Sequence, residues 1–427
     1  MQRGILVFQL SIVLLALAWS AAAADDWPQF LGPDRNGQSP ETGLPRAWPE
    51  GGPKELWRVD VGPGYGGPAV RDGEVYFLDR VDEQQDVLRC LDLDTSEEQW
   101  RYAYEAPGST GHSGSRTTPT VDTEYVYTVG LMGDFICVDR KTHQPVWHKN
   151  LLKDYGLEAP NWGVSQSPSL YKEWVIVAPQ APDAFVAAYD RKTGERAWAS
   201  PGFGGVGYST PILTTLCGVD QAVMASASEN RGKSQVAGVS LKDGSLLWTY
   251  SGWQCKIPIP FPSPLPSDRL FVTGGYKAGS AMLQIRRNGD AFEVAEEYKL
   301  DMKTCGSQIH QPLLYKEHLY INSNSNERED GMICLTLDGK LLWRTKDTKG
   351  LPTFERGNLL LADDLIFCMD GKRGNLYLIE PSPEGYKELA NARVLRGAKA
   401  WSPMALSRGK LIVRNQIEMK CLDVRNP

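Results

Sequence analysis

The sequence predicts an all-β fold, an eight-bladed β-propeller of four-stranded antiparallel blades whose ring is closed by an N-terminal strand completing the last blade. Three observations carry this: a degenerate repeat of roughly fifty residues, a proline that opens almost every repeat, and two chain ends that each lack what the other supplies.

The repeat is visible in FICVDRKTHQPVW, FVAAYDRKTGERAW, VAGVSLKDGSLLW and MICLTLDGKLLW, each a strand, a polar turn and a strand ending in Trp. The ends fall at Trp57, Trp100, Trp147, Trp198, Trp248, Tyr298 and Trp343, with gaps of 43 to 51 residues. That period suits a four-stranded blade and exceeds most helical repeats. In the turn 190–194 the Asp190 side chain can cap the turn amides, and Gly194 supplies the positive φ of a bulged hairpin.

The blade starts give a second register. Pro68, Pro119, Pro168, Pro211, Pro264, Pro312 and Pro403 each precede an alternating strand, and the 91-residue last gap contains GNLLLADDLIFCMDGKRGNLYLIE from Gly357, the same pattern without the proline. Eight starts result. The eighth blade begins at Ser402 and ends near Val424 after three strands, while KELWRVDV from Lys54 is a Trp-bearing fourth strand with no blade before it. Pairing the two removes open sheet edges. An open solenoid, the alternative, would carry capping repeats at its ends, and none is visible.

The chain divides into a signal peptide over 1–24, an N-terminal extension over 25–53 lying outside the ring, and the propeller over 54–427. Arg3, the apolar run from Ile5 to Leu17 and the small residues Ala21 to Ala24 form the signal, with cleavage expected before Asp25. The alternative is an uncleaved anchor, for which the run is short against a hydrocarbon core of ~30 Å. The expectation is export to the periplasm or cell surface, with no stable membrane insertion after cleavage. Gly 42, Pro 28, Tyr 17 and Trp 13 suit short strands and tight turns. A net charge of −6 gives no field for holding nucleic acid.

Of the eight cysteines, Cys90, Cys137, Cys334 and Cys421 occupy one slot of the repeat, so they belong to different blades and lie beyond the ~7 Å Cα limit for bridging. They read as small buried hydrophobes with free thiols. Pairing of Cys255 with Cys305 is left open. No C-x-x-C occurs and no metal-ligand spacing is found, so no metal site is assigned.

Short motifs do not carry chemistry here. The glycines 62–67 match G-x-G-x-x-G but precede Pro68 and a strand rather than a helix, so no helix N-terminus faces them. The residues just before each innermost strand are more informative, because they converge on the axis at one face. They are Tyr65, His112, Arg116, Trp162, Gln166, Tyr208, Lys256, Gln308, His310, Arg356, Lys399 and Trp401. Four fixed positive charges and two histidines face one nearby acid, Glu355, in an acidic protein, an arrangement that attracts an anion. Alternatively these side chains cap strand ends and bond loop carbonyls.

The opening DWPQFLGPDRNG, the stretch SRTTPTVDTEYVYTVGLMGDFICVDRKT and SPEGYKELANARVL resemble the PQQ-like (quinoprotein-like) propeller superfamily, whose members include quinoprotein alcohol dehydrogenases and BamB. The resemblance covers Asp26 to Val424 and is greatest to an exported bacterial branch. For the dehydrogenases it implies PQQ held between a Trp floor and a ring of two adjacent disulfide-bonded cysteines, with Ca²⁺ on Glu, Asn and Asp. This chain has no Cys-Cys pair and no match to the calcium set, so no catalytic residue is assigned. The expectation is a non-catalytic binding scaffold of BamB-like architecture, with no cofactor, that presents its central funnel and loops to a protein partner or a small anionic ligand. A PQQ-dependent alcohol dehydrogenase using PQQ and calcium is the alternative, and a carbohydrate-binding propeller the third reading.

Overall fold

The computed structural model describes residues 26–228, 233–397 and 399–425. The expected signal peptide lies outside these residues. Eight four-stranded antiparallel sheets follow one another around an axis: residues 69–105, 120–150, 169–199, 212–250, 263–300, 313–344 and 359–393 form blades 1 to 7, and residues from 405 onward begin blade 8. The only helical pieces among the described residues are the turns Leu151–Asp154 and Thr345–Asp347.

Blade 8 closes as the chain ends require. Lys54–Asp60 pairs antiparallel with Glu418–Asp423, placing Trp57 opposite Cys421. The seam against blade 1 is polar and buried. Arg414, 2% exposed, donates to the Gly62 carbonyl at 3.0 Å, and Asp79 accepts from the Gly62 amide at 2.7 Å. Burial pushes the Arg414 guanidinium down to about 10, Asp79 acting in the opposite direction.

Each outer-strand aromatic has a fixed opposite number. Trp100, Trp147, Trp198, Trp248, Tyr298, Trp343 and Trp57 face Cys90, Cys137, Ala188, Gly238, Met282, Cys334 and Cys421, and in blade 7 Ala390 faces Leu378. The cysteine slot is therefore the floor on which the aromatic ring rests. In every blade a bulge follows directly, so one extra outer-strand residue increases the local twist. The rings also tie neighbours together: Trp57, Trp147 and Trp343 donate to the Leu93, Arg191 and Ser382 carbonyls of the next blade, at 2.8, 3.1 and 2.9 Å. The receiving turn is built as its sequence requires, with Asp190 accepting from the Lys192 and Thr193 amides at 2.9 Å. Gly194, at φ 69°, lies against Trp147, where a Cβ would come within 2.8 Å of the ring.

One expectation is overturned. The N-terminal segment does not lie outside the ring. Trp27 pairs with Val70, the Pro28 carbonyl accepts from the Val121 amide, Gln38–Ser39 adds a parallel fifth strand to blade 7, and Glu41 accepts from the Gly409 amide. These partners sit at the far ends of the innermost strands, so the segment crosses the axis opposite the convergent ring of side chains. Trp27, Leu31 and Leu44 are buried in the blade cores. The physical reason is that eight blades leave an axial channel whose apolar inner strands need a cover.

All eight cysteines are free, and Cys255 and Cys305 lie in separate core clusters. Burial raises their thiols, to about 12 for Cys255 and about 11 for Cys305. Thiol titration of the denatured, unreduced protein should find all eight reactive, and protection of any pair would contradict the blade geometry.

Trp57→Ala should cost ~3 to 5 kcal/mol, the range for a large core side chain. Removing residues 26–44 should cost more, because three buried side chains and a strand are lost together. Denaturant titration against an Ile417→Ala control, 57% exposed, checks both. A deletion no worse than the control would show that the segment does not seal the ring.

Candidate functional site

The loops entering the innermost strands build a funnel with a cavity of about 190 Å³ on the axis. Nine of the twelve residues singled out in the sequence line it: Tyr65, His112, Arg116, Trp162, Tyr208, Gln308, His310, Arg356 and Trp401. Three do not. Gln166 is buried beside it, donating to the Gly207 carbonyl at 2.8 Å and lining a neighbouring groove under Leu151 and Leu157, which is the strand-capping role. Lys256 is exposed and outside the lining. Lys399 is exposed at the mouth, where its charge helps lower the pKa of His112.

The walls are aromatic and mutually braced. Tyr65 stacks on Trp401 with ring centroids 5.7 Å apart, and Trp162 packs against Tyr208 at 4.9 Å and Tyr276 at 6.3 Å. His112 bridges the two groups, 6.2 Å from both Tyr65 and Trp162. Two arginines complete the lining: Arg116 lies over Tyr65 at 4.9 Å and Arg356 over Trp401 at 4.7 Å.

The two cations differ in one respect. Arg356 is paired with Glu355, whose other oxygen accepts from the Trp401 indole at 2.9 Å. Arg116 has no carboxylate partner among the described residues. It donates to the His112 carbonyl, and its Nε is buried without a partner. Burial lowers it to about 10, and among the described residues the opposing influences are the hydroxyls of Tyr65 and Tyr208. Burial, then Arg116, Lys399 and Arg356, also hold His112 below its ordinary value.

Deeper in the funnel, His310 and Gln308 are each 5% exposed. The Met404 amide donates to Asn358 Oδ1 at 3.1 Å, which leaves Asn358 Nδ2 facing His310 Nδ1 at 3.3 Å as donor. Among the described residues His310 Nε2 and Gln308 Oε1 are buried with no partner at hydrogen-bond geometry. Burial pushes His310 down to about 4, the Arg356 carbonyl acting the other way, so the ring is neutral.

Sequence reasoning missed nine of the eighteen lining residues, among them Phe30, Ile259, Tyr276 and Asn326. Phe30 comes up the channel from the N-terminal segment and packs edge-on against Phe261 at 6.2 Å. Its signal was present in the clustered Trp27, Phe30 and Leu31, an apolar group in a segment given no sheet to cover. Tyr276 sits in the turn after an inner strand, at φ 55°, outside the slot that the repeat identifies.

The family model described as outer membrane protein assembly factor BamB matches residues 83–254, from within blade 1 to the end of blade 4. The quinohemoprotein alcohol dehydrogenase of Comamonas testosteroni is 27% identical over 139 residues, covering 31% of this chain and 19% of the enzyme. The matched region thus spans under a fifth of that relative's length. The crystal structure of that enzyme superposes with a TM-score of 0.63 at 12% identity, over 96% of this chain and 82% of the other. A europium-containing methanol dehydrogenase gives 0.65 at 13% identity, over 91% and 89%. BamB from Moraxella catarrhalis gives 0.57 at 12% identity, over 87% and 99%. At these identities the superpositions speak to the fold. With its eight closed blades and Trp-ended repeats, the chain has an eight-bladed β-propeller fold similar both to that of BamB and to that of the quinohemoprotein alcohol dehydrogenases.

Proposed function

We propose that this chain is an exported, non-catalytic binding propeller of the periplasm or cell surface whose axial funnel takes a small anionic ligand. The observation that supports it is Arg116, a desolvated cation without a carboxylate in a pocket that also holds the orphaned Gln308 Oε1 and His310 Nε2. Structural ion pairs come with both partners, and a buried charge without one is unfavourable until something supplies it. A protein partner is also compatible with the BamB-like architecture. The funnel is favoured as the site because the exposed large hydrophobic residues, Val81, Val146, Leu246 and Ile417, are spread over four blades and make no continuous rim patch.

The alternative is a PQQ-dependent alcohol dehydrogenase with calcium. The donor set does not fit the metal. Among the described residues no carboxylate lines the funnel; Glu355 beside it has its oxygens engaged by Arg356 and the Trp401 indole, and Asn326 Oδ1 also accepts from Arg356. Among the described residues no group of three or more His, Cys, Asp or Glu could hold a metal ion. A divalent cation would also have to enter beside Arg116, Arg356 and Lys399. Nor do the lining residues include a nucleophile paired with a free base.

Bound anion should stabilise the fold by mass action, by about 2.7 kcal/mol at one hundred times its dissociation constant. Thermal unfolding with acetate, phosphate, citrate and PQQ, each with and without Ca²⁺, tests this. Arg116→Gln should abolish the ligand-dependent rise while leaving the unliganded midpoint unchanged or higher, since it removes an uncompensated buried charge. A lower unliganded midpoint together with no response to any anion in the parent would make Arg116 structural.

Stability should also fall on acidification through His310. Its folded value lies below the ordinary ~6.5, so as pH drops the unfolded chain takes up the proton first. The loss therefore develops between pH 6.5 and about 4, and reaches up to about 3 kcal/mol. His310→Gln should flatten that part of the stability profile, and an unchanged slope would mean that His310 is not held neutral.

A further inference from the structure

We infer that the funnel takes a single six-membered ring bearing one carboxylate, the carboxylate on Arg116 and the ring between the aromatic walls, an inference that rests on reading the funnel as an anion site. Size, charge and wall chemistry argue for it separately.

A cavity of about 150 Å³ holds one benzene. The funnel's 190 Å³ accommodates one ring and a carboxylate. Charge gives the same count. Arg356 is already shared with Glu355, which leaves Arg116 as the one arginine of the lining without an acid, matched by one negative group. Lys399 at the mouth adds attraction on the approach.

The walls ask for more than a bare anion. Tyr65, Trp162, Tyr208, Tyr276 and Trp401 surround the cavity, with Phe30 below them, and acetate or phosphate would leave this surface wet. A ring dries it. The ring can be aromatic, as in a benzoate, or a sugar ring with an acid group, as in a uronate, because both pack on aromatic side chains. Their shared feature is one flat or chair-shaped ring with one carboxylate.

The test is isothermal titration of the full chain with benzoate, glucuronate, acetate, phosphate, benzamide, glucuronamide and PQQ. Intrinsic fluorescence gives a second readout through Trp162 and Trp401. Benzoate or glucuronate should bind at least tenfold tighter than acetate and phosphate, and at least tenfold tighter than its own amide. Arg116→Gln should lower that affinity at least tenfold, and Arg116→Lys should restore part of it, with both variants melting within a few degrees of the parent. Whichever ring acid binds identifies the class. Acetate or phosphate binding as tightly as the ring acids would overturn the ring assignment and leave the anion site standing. PQQ binding more tightly than both would overturn the single ring. Amides equal to acids, or no binding by any carboxylate, would overturn the anion site itself.

Discussion

Everything in this molecule depends on the seam between its first and last blades. A ring of separate sheets must join its first blade to its last, and here Lys54–Asp60 supplies the fourth strand of the last blade by pairing with Glu418–Asp423. The seam is held by more than strand pairing. Trp57 bonds forward to Leu93 in blade 1, while Arg414 and Asp79 bind the Gly62 backbone from either side of the junction. Because each blade contacts mainly its two neighbours, an opened seam would release every blade interface from the constraint of closure. The aromatic-to-carbonyl bond at blade edges is the same device repeated, which explains why Trp57 was recognisable as one member of a series whose blade lies at the other end of the chain.

Closure then creates its own requirement. Eight inner strands cannot meet at a point, so an axial channel remains. One end is covered by the chain itself: the N-terminal segment runs beneath the inner strands, touching blades 1, 2 and 7 through backbone bonds and blade 8 through the Glu41 carboxylate. The other end is left as a funnel whose floor includes Phe30 from that segment. A plug at one end converts a through-channel into a blind pocket, which is the geometry a small ligand needs to be desolvated.

The sequence was most legible where a feature recurs. Blade number, closure by Lys54–Asp60 and the cysteine slot were all readable, because each is a local pattern that repeats with the period of the fold. The funnel was readable in part for the same reason: residues preceding each inner strand share a position relative to the axis, and nine of the twelve reached the cavity. The failures share a cause too. Gln166 and Lys256 occupy the right slot, but their loops turn differently, and side-chain direction in a loop is not periodic. Tyr276 sits on the turn between two strands, a position with no counterpart in the chosen slot. The N-terminal segment matches no repeat, so periodicity assigned it to the outside, whereas its three buried apolar side chains demanded a cover to pack against. Composition of a non-repeating segment was the better guide there.

The arginines of the fold supply the comparison that singles out the funnel. Arg80 is buried against Asp86 at 2.7 Å, Arg140 bonds Asp72 and Glu74, and Arg414 sits in the field of Asp79. Arg356 has Glu355, and even Arg35, which burial lowers to about 10, is opposed by its neighbour Asp34. In each case a carboxylate within the chain opposes the desolvation of the guanidinium. Arg116 is lowered to the same degree, and what opposes it is two tyrosine hydroxyls that carry no charge at neutral pH. Nothing about a closed propeller requires that side chain: it holds no seam, and a neutral residue would bond the His112 carbonyl without the desolvation cost. A chain of net charge −6 that sets a carboxylate beside each of those arginines has left this one in the aromatic funnel on its axis. The missing carboxylate is therefore best supplied from outside the chain, by whatever enters the funnel.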